Sequence, residues 1–288
     1  MYPVGAMSCA SCGGTGWRPV ERDGVRRVER CVCWEDTRTS KLVADARVPP
    51  RYARCDLDNF ILYQNERLLS VINRAKKFAD DFPAVSKGLC LIGPPGIGKT
   101  HIAVAVLRKV VTAQGARGLF YDVRDLLRII RSTYNPVVRT AEMDILRPVM
   151  EADLLVLDDL GAEKPSEWVE ETVNLIVNTR YNERRPTIFT TNYEDVPDDA
   201  DLDALKVRVG FRLYSRLHEM CEFLEYDGGD YRMLPANGGA DDLTTLWKKR
   251  GQRSLPARAY RSARAEIREP AANREPRDLK WPGGKAGR

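Results

Sequence analysis

The 288-residue sequence predicts an α/β fold built on a parallel sheet flanked by helices, and three observations lead there. Short apolar runs alternate with helically spaced segments from residue 51 to about 235. Two of those runs, "GLCLI" and the "LLVL" of "DLLVLD", are continuously apolar, as strands covered on both faces must be. The first passes through glycines and prolines straight into a helical pattern.

Taken in order, 66–82 has helical spacing and precedes the strand at 88–92. A helix at 99–114 follows, and "RGLFYDV" (117–123) is the next strand. Residues 124–133 and 141–152 are again helical in pattern, separated by Asn135-Pro136, since proline has no N–H to continue a helix. "DLLVLD" (153–158) is a strand. Ser166, with Glu170 four residues on, opens a helix to about residue 184. "PTIFTTN" (186–192) is a strand, 207–220 a helix and "CEFLEY" (221–226) a closing strand.

Composition divides the chain into three regions: a cysteine-containing N-terminal part (1–50), the α/β core (51–235) and a basic tail (236–288) expected to be disordered for want of apolar residues. No apolar run approaches the ~20 residues that cross a bilayer, and the N-terminus has no signal-peptide pattern. A cytoplasmic location without membrane association is therefore expected. The net charge of +5 is unevenly spread. From Lys248 onward, Lys and Arg far outnumber Glu266, Glu269, Glu275 and Asp278, which suits a polyanion.

"GPPGIGKT" fits G-x-x-x-x-G-K-[ST], from Gly93, Pro94, Pro95, Gly96, Ile97 and Gly98 to Lys99 and Thr100. Glycines let consecutive N–H groups turn toward phosphate oxygens, and the following helix presents its positive dipole end. Lys99 can reach the β- and γ-phosphates of a nucleoside triphosphate, and the Thr100 hydroxyl can ligate magnesium. His101 belongs to this nucleotide-binding segment by position, but packing is the simpler role for it and for His218.

In "LLVLDDLGAEK", Asp158 ends a buried strand, where open α/β sheets bind ligands, and its carboxylate suits magnesium. Asp159 is placed to polarise an attacking water; being shorter than glutamate, it predicts slow or partner-dependent hydrolysis. Asn192, after "IFTT", could orient that water beside the γ-phosphate. Arg212 and Arg216, four apart on a helix, project from one face. They are either solvated surface or an arginine finger aimed at a neighbour's γ-phosphate. Arg232, in "DGGDYR", is a candidate for a second phosphate-sensing arginine.

Together, "GPPGIGKTHIAVAV", "DLLVLDDLGAEKPSEWVEE", "NTRYNERRPTIFTTNY" and "RLYSRLHEMCEFLEYDGGDYR" resemble the AAA+ ATPases of the bacterial DnaC/DnaI helicase-loader family, relatives of the IstB transposition helpers. The resemblance covers roughly residues 50–235. It implies Lys99 and Thr100 as the Walker A pair, Asp158 and Asp159 as Walker B, Asn192 as sensor 1, and Arg216 as the arginine finger with Arg212 beside it. It also implies a five-stranded parallel sheet without the usual helical lid domain, and ATP and Mg2+ as ligands. The implied partners are a replicative helicase, single-stranded DNA and further copies of the chain. Three readings compete: a helicase loader, an IstB-like transposition regulator, and a nucleotide-gated adaptor that scarcely hydrolyses ATP. A small-molecule kinase is the weakest, because it has no use for Asn192 and Arg216.

"CASC" (9–12) and "CVC" (31–33) offer Cys9, Cys12, Cys31 and Cys33. Four thiolates could form a closed tetrahedral zinc site that folds a segment with little core of its own; isolated thiols or a redox pair are the alternatives. Some loader-family members carry such an N-terminal domain, docked on the helicase. Cys55, Cys90 and Cys221 read as buried thiols.

Overall fold

A computed structural model describes residues 9–22, 24–135, 141–196 and 201–252. The chain opens with an antiparallel hairpin, β1 (Trp17–Arg22) and β2 (Val25–Arg30), followed by helix α1 (Val32–Asp45). Alternating elements follow: α2 (Glu66–Asp81), β3 (Gly88–Ile92), α3 (Lys99–Gln114), β4 (Gly118–Asp122), α4 (Val123–Ser132), α5 (Glu142–Glu151), β5 (Leu154–Asp158), α6 (Glu167–Asn182) and β6 (Thr187–Thr191). Helices α7 (Leu205–Val209) and α8 (Phe211–Met220), strand β7 (Cys221–Glu225) and helix α9 (Ala240–Gln252) complete it.

The five strands β3 to β7 form one parallel sheet in the order β4-β5-β6-β3-β7. Strands β3, β5 and β6 are buried at every residue, which explains the continuous apolar runs of β3 and β5, while β6 also buries Thr187, Thr190 and Thr191. Leu68, Ile72, Ile102, Leu107 and Val111, from α2 and α3, fill one face. Leu127, Val149, Ile176 and Leu217, from α4, α5, α6 and α8, fill the other. Buried Arg180 fastens the lower end: its guanidinium donates to the carbonyls of Val149, Met150, Ala152 and Pro186 and to Thr187 Oγ1.

Helix starts follow local chemistry. Asn65 caps α2 through Leu68 N–H, Asp122 caps α4 through the N–H groups of Arg124 and Asp125, and Ser166 caps α6 through Val169 N–H.

Three expectations need correction. The helix expected at 207–220 breaks at Gly210, whose φ of 82° ends α7 and starts α8 in a new direction. The tail does not lose its structure at residue 236. Helix α9 packs on the core through fully buried Leu243, and Trp247 donates to Asp227 Oδ1 at 2.5 Å while its ring meets Tyr63. A single helix is not a lid domain, and the rest of the tail, 253–288, lies outside the described residues. Residue 50 is not a clean boundary either. Leu42 and Val43 of α1 rest on the core, and the Ala46 carbonyl accepts from Phe120 N–H at the sheet edge.

Candidate functional site

The carboxyl ends of β3, β5 and β6 open into a cleft of about 620 Å³. Its floor is the loop between β3 and α3. Gly93, Gly96 and Gly98 adopt φ of 149°, 87° and 96°, conformations other residues rarely hold. A Cβ at Gly96 would also collide with the Asp230 carboxylate at 2.0 Å.

Lys99 emerges at the first turn of α3 and folds back over the loop. Its Nζ donates to the carbonyls of Gly93 (2.6 Å) and Pro94 (2.9 Å) and to Asn192 Oδ1 (2.7 Å). Burial lowers its pKa to about 8, against the opposing pull of Asp159 and Asp158. Thr100 Oγ1 donates to both oxygens of Asp158, at 2.9 and 3.1 Å, and Thr190 Oγ1 adds a 2.6 Å bond. Burial pushes the Asp158 carboxyl up to about 6 despite these hydroxyls. A divalent cation held by Thr100 and Asp158 would supply the missing positive charge, so the donor set fits magnesium.

Asp159 sits in a left-handed conformation, φ 61°, its N–H fixed by Thr190 Oγ1. Its carboxylate accepts from Asn192 Nδ2 at 2.6 Å and Arg124 Nη2 at 3.1 Å. Lys99, Thr100, Asp158, Asp159 and Asn192 therefore meet in one network. Arg232 lines the same cleft. His101 lines it too, but its Nε2 is engaged by the Asp56 carbonyl (3.0 Å) and Asn59 Oδ1 (3.1 Å), and its ring packs edge-on against Phe60. These contacts tie the segment around Asp56–Phe60 to the start of α3.

Arg212 and Arg216 are not brought to this cleft. They line a separate groove with Glu167, Glu170, Glu171 and Asn178 of α6, and the Arg216 guanidinium donates to the Arg212 carbonyl.

Sequence reasoning missed the remaining walls: Arg51, Tyr52, Asn59, Phe60 and Ile61 on one side, Asp122 and Arg124 on the other, and Tyr231. Asp122 had a signal in its position at a strand end, matching Asp158. The 51–61 segment follows neither helical nor strand periodicity and offered none.

The four N-terminal thiols converge as expected. All their sulfurs lie within 4.8 Å of one another, with Cys9 to Cys31 at 3.7 Å and Cys12 to Cys33 at 3.4 Å. Tetrahedral zinc with Zn–S near 2.3 Å places sulfurs about 3.8 Å apart, so the geometry fits that ion. The Ser11 N–H, with Cys31 beside it, lowers the Cys9 thiol. Burial raises Cys12, but Cys33 and the N–H groups of Gly16 and Gly14 outweigh it and bring the thiol to about 6. Cys55, Cys90 and Cys221 are buried elsewhere.

A parallel sheet with a phosphate loop, a strand-end Asp pair and an asparagine bonded to both Lys99 and Asp159 defines a P-loop ATPase core of the AAA+ type. The family model for IstB-like ATP binding proteins matches residues 36–234, and the chain belongs to that family. The crystal structure of a DnaC helicase loader is similar at 34% identity and TM-score 0.54, over 62% of this chain and 99% of that one. A DnaI crystal structure, 24% identical with TM-score 0.51, shares the fold over 62% of this chain and 94% of its own. The replicative helicase loader DnaC of Escherichia coli K12 is 26% identical over 145 residues, 50% of this chain and 58% of the relative. This chain thus matches little more than half the length of that relative. DnaC of Buchnera aphidicola subsp. Baizongia pistaciae is 28% identical over 166 residues, 58% of this chain and 64% of its own.

Proposed function

We propose that this protein is an ATP-driven loader that delivers a replicative helicase onto single-stranded DNA during replication initiation or restart. The match between its core and nearly the whole of a DnaC helicase loader structure carries this reading. The loop amides and Lys99 bind the triphosphate. Thr100 and Asp158 would hold magnesium, which would supply positive charge to the phosphates when bound. Asp159 and Asn192 orient the attacking water. With the Asp159 carboxylate engaged by both Asn192 and Arg124, turnover is slow until a partner or DNA rearranges the network.

Arg216, with Arg212 beside it, acts on a neighbouring subunit's γ-phosphate. Its distance from this chain's own cleft supports that assignment, which makes the active site a subunit interface. Zinc held by Cys9, Cys12, Cys31 and Cys33 would lock the N-terminal hairpin, the part that docks on the helicase. Helix α9 carries Lys248, Lys249 and Arg250 into the basic tail, which adds affinity for DNA phosphates. Among the described residues no helix is long and apolar enough to cross a membrane. The reading places the protein in the cytoplasm.

A second reading, an IstB-like transposition helper, is favoured by the family model itself. Pull-down of partners in ATP separates the two. Recovery of the replicative helicase supports the loader, and recovery of a transposase in its place refutes it. Helicase binding in ATP with no turnover, even with DNA present, would instead make the protein a nucleotide-gated adaptor.

A further inference from the structure

Helix α8 carries two pairs of polar residues on opposite sides. Arg212 and Arg216 are four apart and share one face, as do Tyr214 and His218. The pairs are offset by two residues, about 200° around the axis, so they point in opposing directions. The arginines face the α6 groove. The other pair turns inward onto a single carboxylate, with Tyr214 Oη donating to Asp195 Oδ1 at 2.5 Å and His218 Nε2 at 3.3 Å from the same oxygen. Phe223 stacks beneath the imidazole at 4.0 Å.

Asp195 lies three residues beyond Asn192, on the segment that leaves β6. Two more contacts bind that segment to the α7–α8 unit. Leu205 N–H donates to the Glu194 carbonyl at 2.9 Å. The Arg208 guanidinium lies over the Tyr193 ring at 4.6 Å and donates to the carbonyls of Gly161 and Glu163, just past the Walker B pair. Gly210, in a backbone conformation that disfavours side chains, separates α7 from α8. The side-chain contacts to Asp195 therefore add to the buried Leu213 and Leu217 in fixing the roll of α8 about its axis.

We infer that Asp195 is a positioning residue: by holding Tyr214 and His218 it orients Arg212 and Arg216 toward the neighbouring subunit, and it ties that orientation to the Asn192 segment of its own site. Arg208 is the second tether. The inference rests on the reading of Arg216 as a finger acting in trans. Its consequence is that the residue sensing a subunit's own γ-phosphate and the helix serving its neighbour move as one piece.

The test uses full-length chains mixed in pairs, with DNA and helicase present, and ATP hydrolysis as the readout. An Arg216→Ala subunit keeps an intact site but presents no finger. A Lys99→Ala subunit cannot hold nucleotide but still presents its own. Mixing the two should restore turnover. When the finger donor also carries Asp195→Ala or Tyr214→Phe, restoration should fall at least tenfold, since a misplacement of about 1 Å in a catalytic contact costs on the order of a hundredfold. A donor carrying Asp195→Asn, which keeps an acceptor for Tyr214, should restore turnover substantially better than the alanine donor. Tyr214→Phe removes one oxygen from a helix otherwise held by Leu213 and Leu217, so it remains informative if the alanine donor fails to fold. Equal restoration by all donors overturns the role of Asp195 while leaving the finger in place. No restoration by the Lys99→Ala donor alone overturns the trans finger itself, and the inference with it.

Discussion

Leu243→Ala is the sharpest test of where the folded core ends. Leu243 is fully buried within the cluster that contains Tyr63 and Leu68, although its own segment looks too polar to fold. Truncating a buried leucine costs about 2–5 kcal/mol, from lost transfer energy plus the cavity left behind. Helix α9 lies at the rim and can settle into the gap, so the lower half of that range applies. A loss of about 2–3 kcal/mol is a large share of a domain stability of about 5–15 kcal/mol. At about 2–4 °C per kcal/mol it lowers Tm by roughly 4–12 °C. Urea and thermal unfolding of the full chain measure it, with amide hydrogen exchange over 240–252 reporting whether α9 detaches alone or with the core. A chain ending at Gln252 should unfold like the full protein. Wild-type stability in the Leu243→Ala variant, together with unprotected α9 amides in the wild type, would refute the packing argument.

Asp158 has its folded pKa raised to about 6 from an ordinary 3.8, so the folded state holds more protons between those values than the unfolded chain. Stability contributed by this group is therefore present at pH 4 and lost as pH rises to 6, a change of about 2–3 kcal/mol. In metal-free protein, Asp158→Asn should gain on wild type in urea unfolding as pH rises from 4 to 7; a constant difference contradicts the buried-carboxylate reading. Metal analysis should find about one zinc per reduced chain, lost in Cys33→Ser together with the hairpin's protection from protease. No stoichiometric zinc in the reduced wild type removes that site. Asn192→Ala should leave ATP affinity within a few-fold while lowering kcat by about 10²–10³, the range for losing one oriented polar contact in the transition state. A rise in KM with kcat unchanged would make Asn192 a binding residue only.

The central α/β frame was legible because buried parallel strands carry a signal that neighbours cannot hide: Leu89 to Ile92 and Leu154 to Leu157 are apolar without interruption. The phosphate-loop pattern and the strand-end Asp pair were legible for a related reason, since glycines forced to positive φ and a carboxylate at a strand end are local requirements. The break at Gly210 was hidden in a run with helical spacing on both sides. Helix α9 was missed because one leucine and one tryptophan do the anchoring, against a surface assembled from Tyr63, Asp227 and Gly229. No reading of 236–252 by itself could supply that surface. Likewise the 51–61 wall of the cleft is held by contacts from distant segments, His101 to Asp56 and Asn59, Arg108 to Cys55 and Tyr231 to Ile61. The hairpin was obscured by its composition, with arginines on both faces and Val28 largely exposed; only the cysteines on either side hinted at a folded unit.

The central claim is that ATP bound in this cleft drives transfer of a helicase to DNA. The most direct measurement is assembly of the partner replicative helicase on closed circular single-stranded DNA bearing an annealed strand, with displacement of that strand as the readout. A ring helicase cannot thread a circle from an end, so displacement reports loading. The wild-type protein with ATP should produce displacement, and Lys99→Ala, which would lose the proposed phosphate contact, should not. Absence of displacement with wild-type protein, ATP and a helicase that it binds would contradict the account.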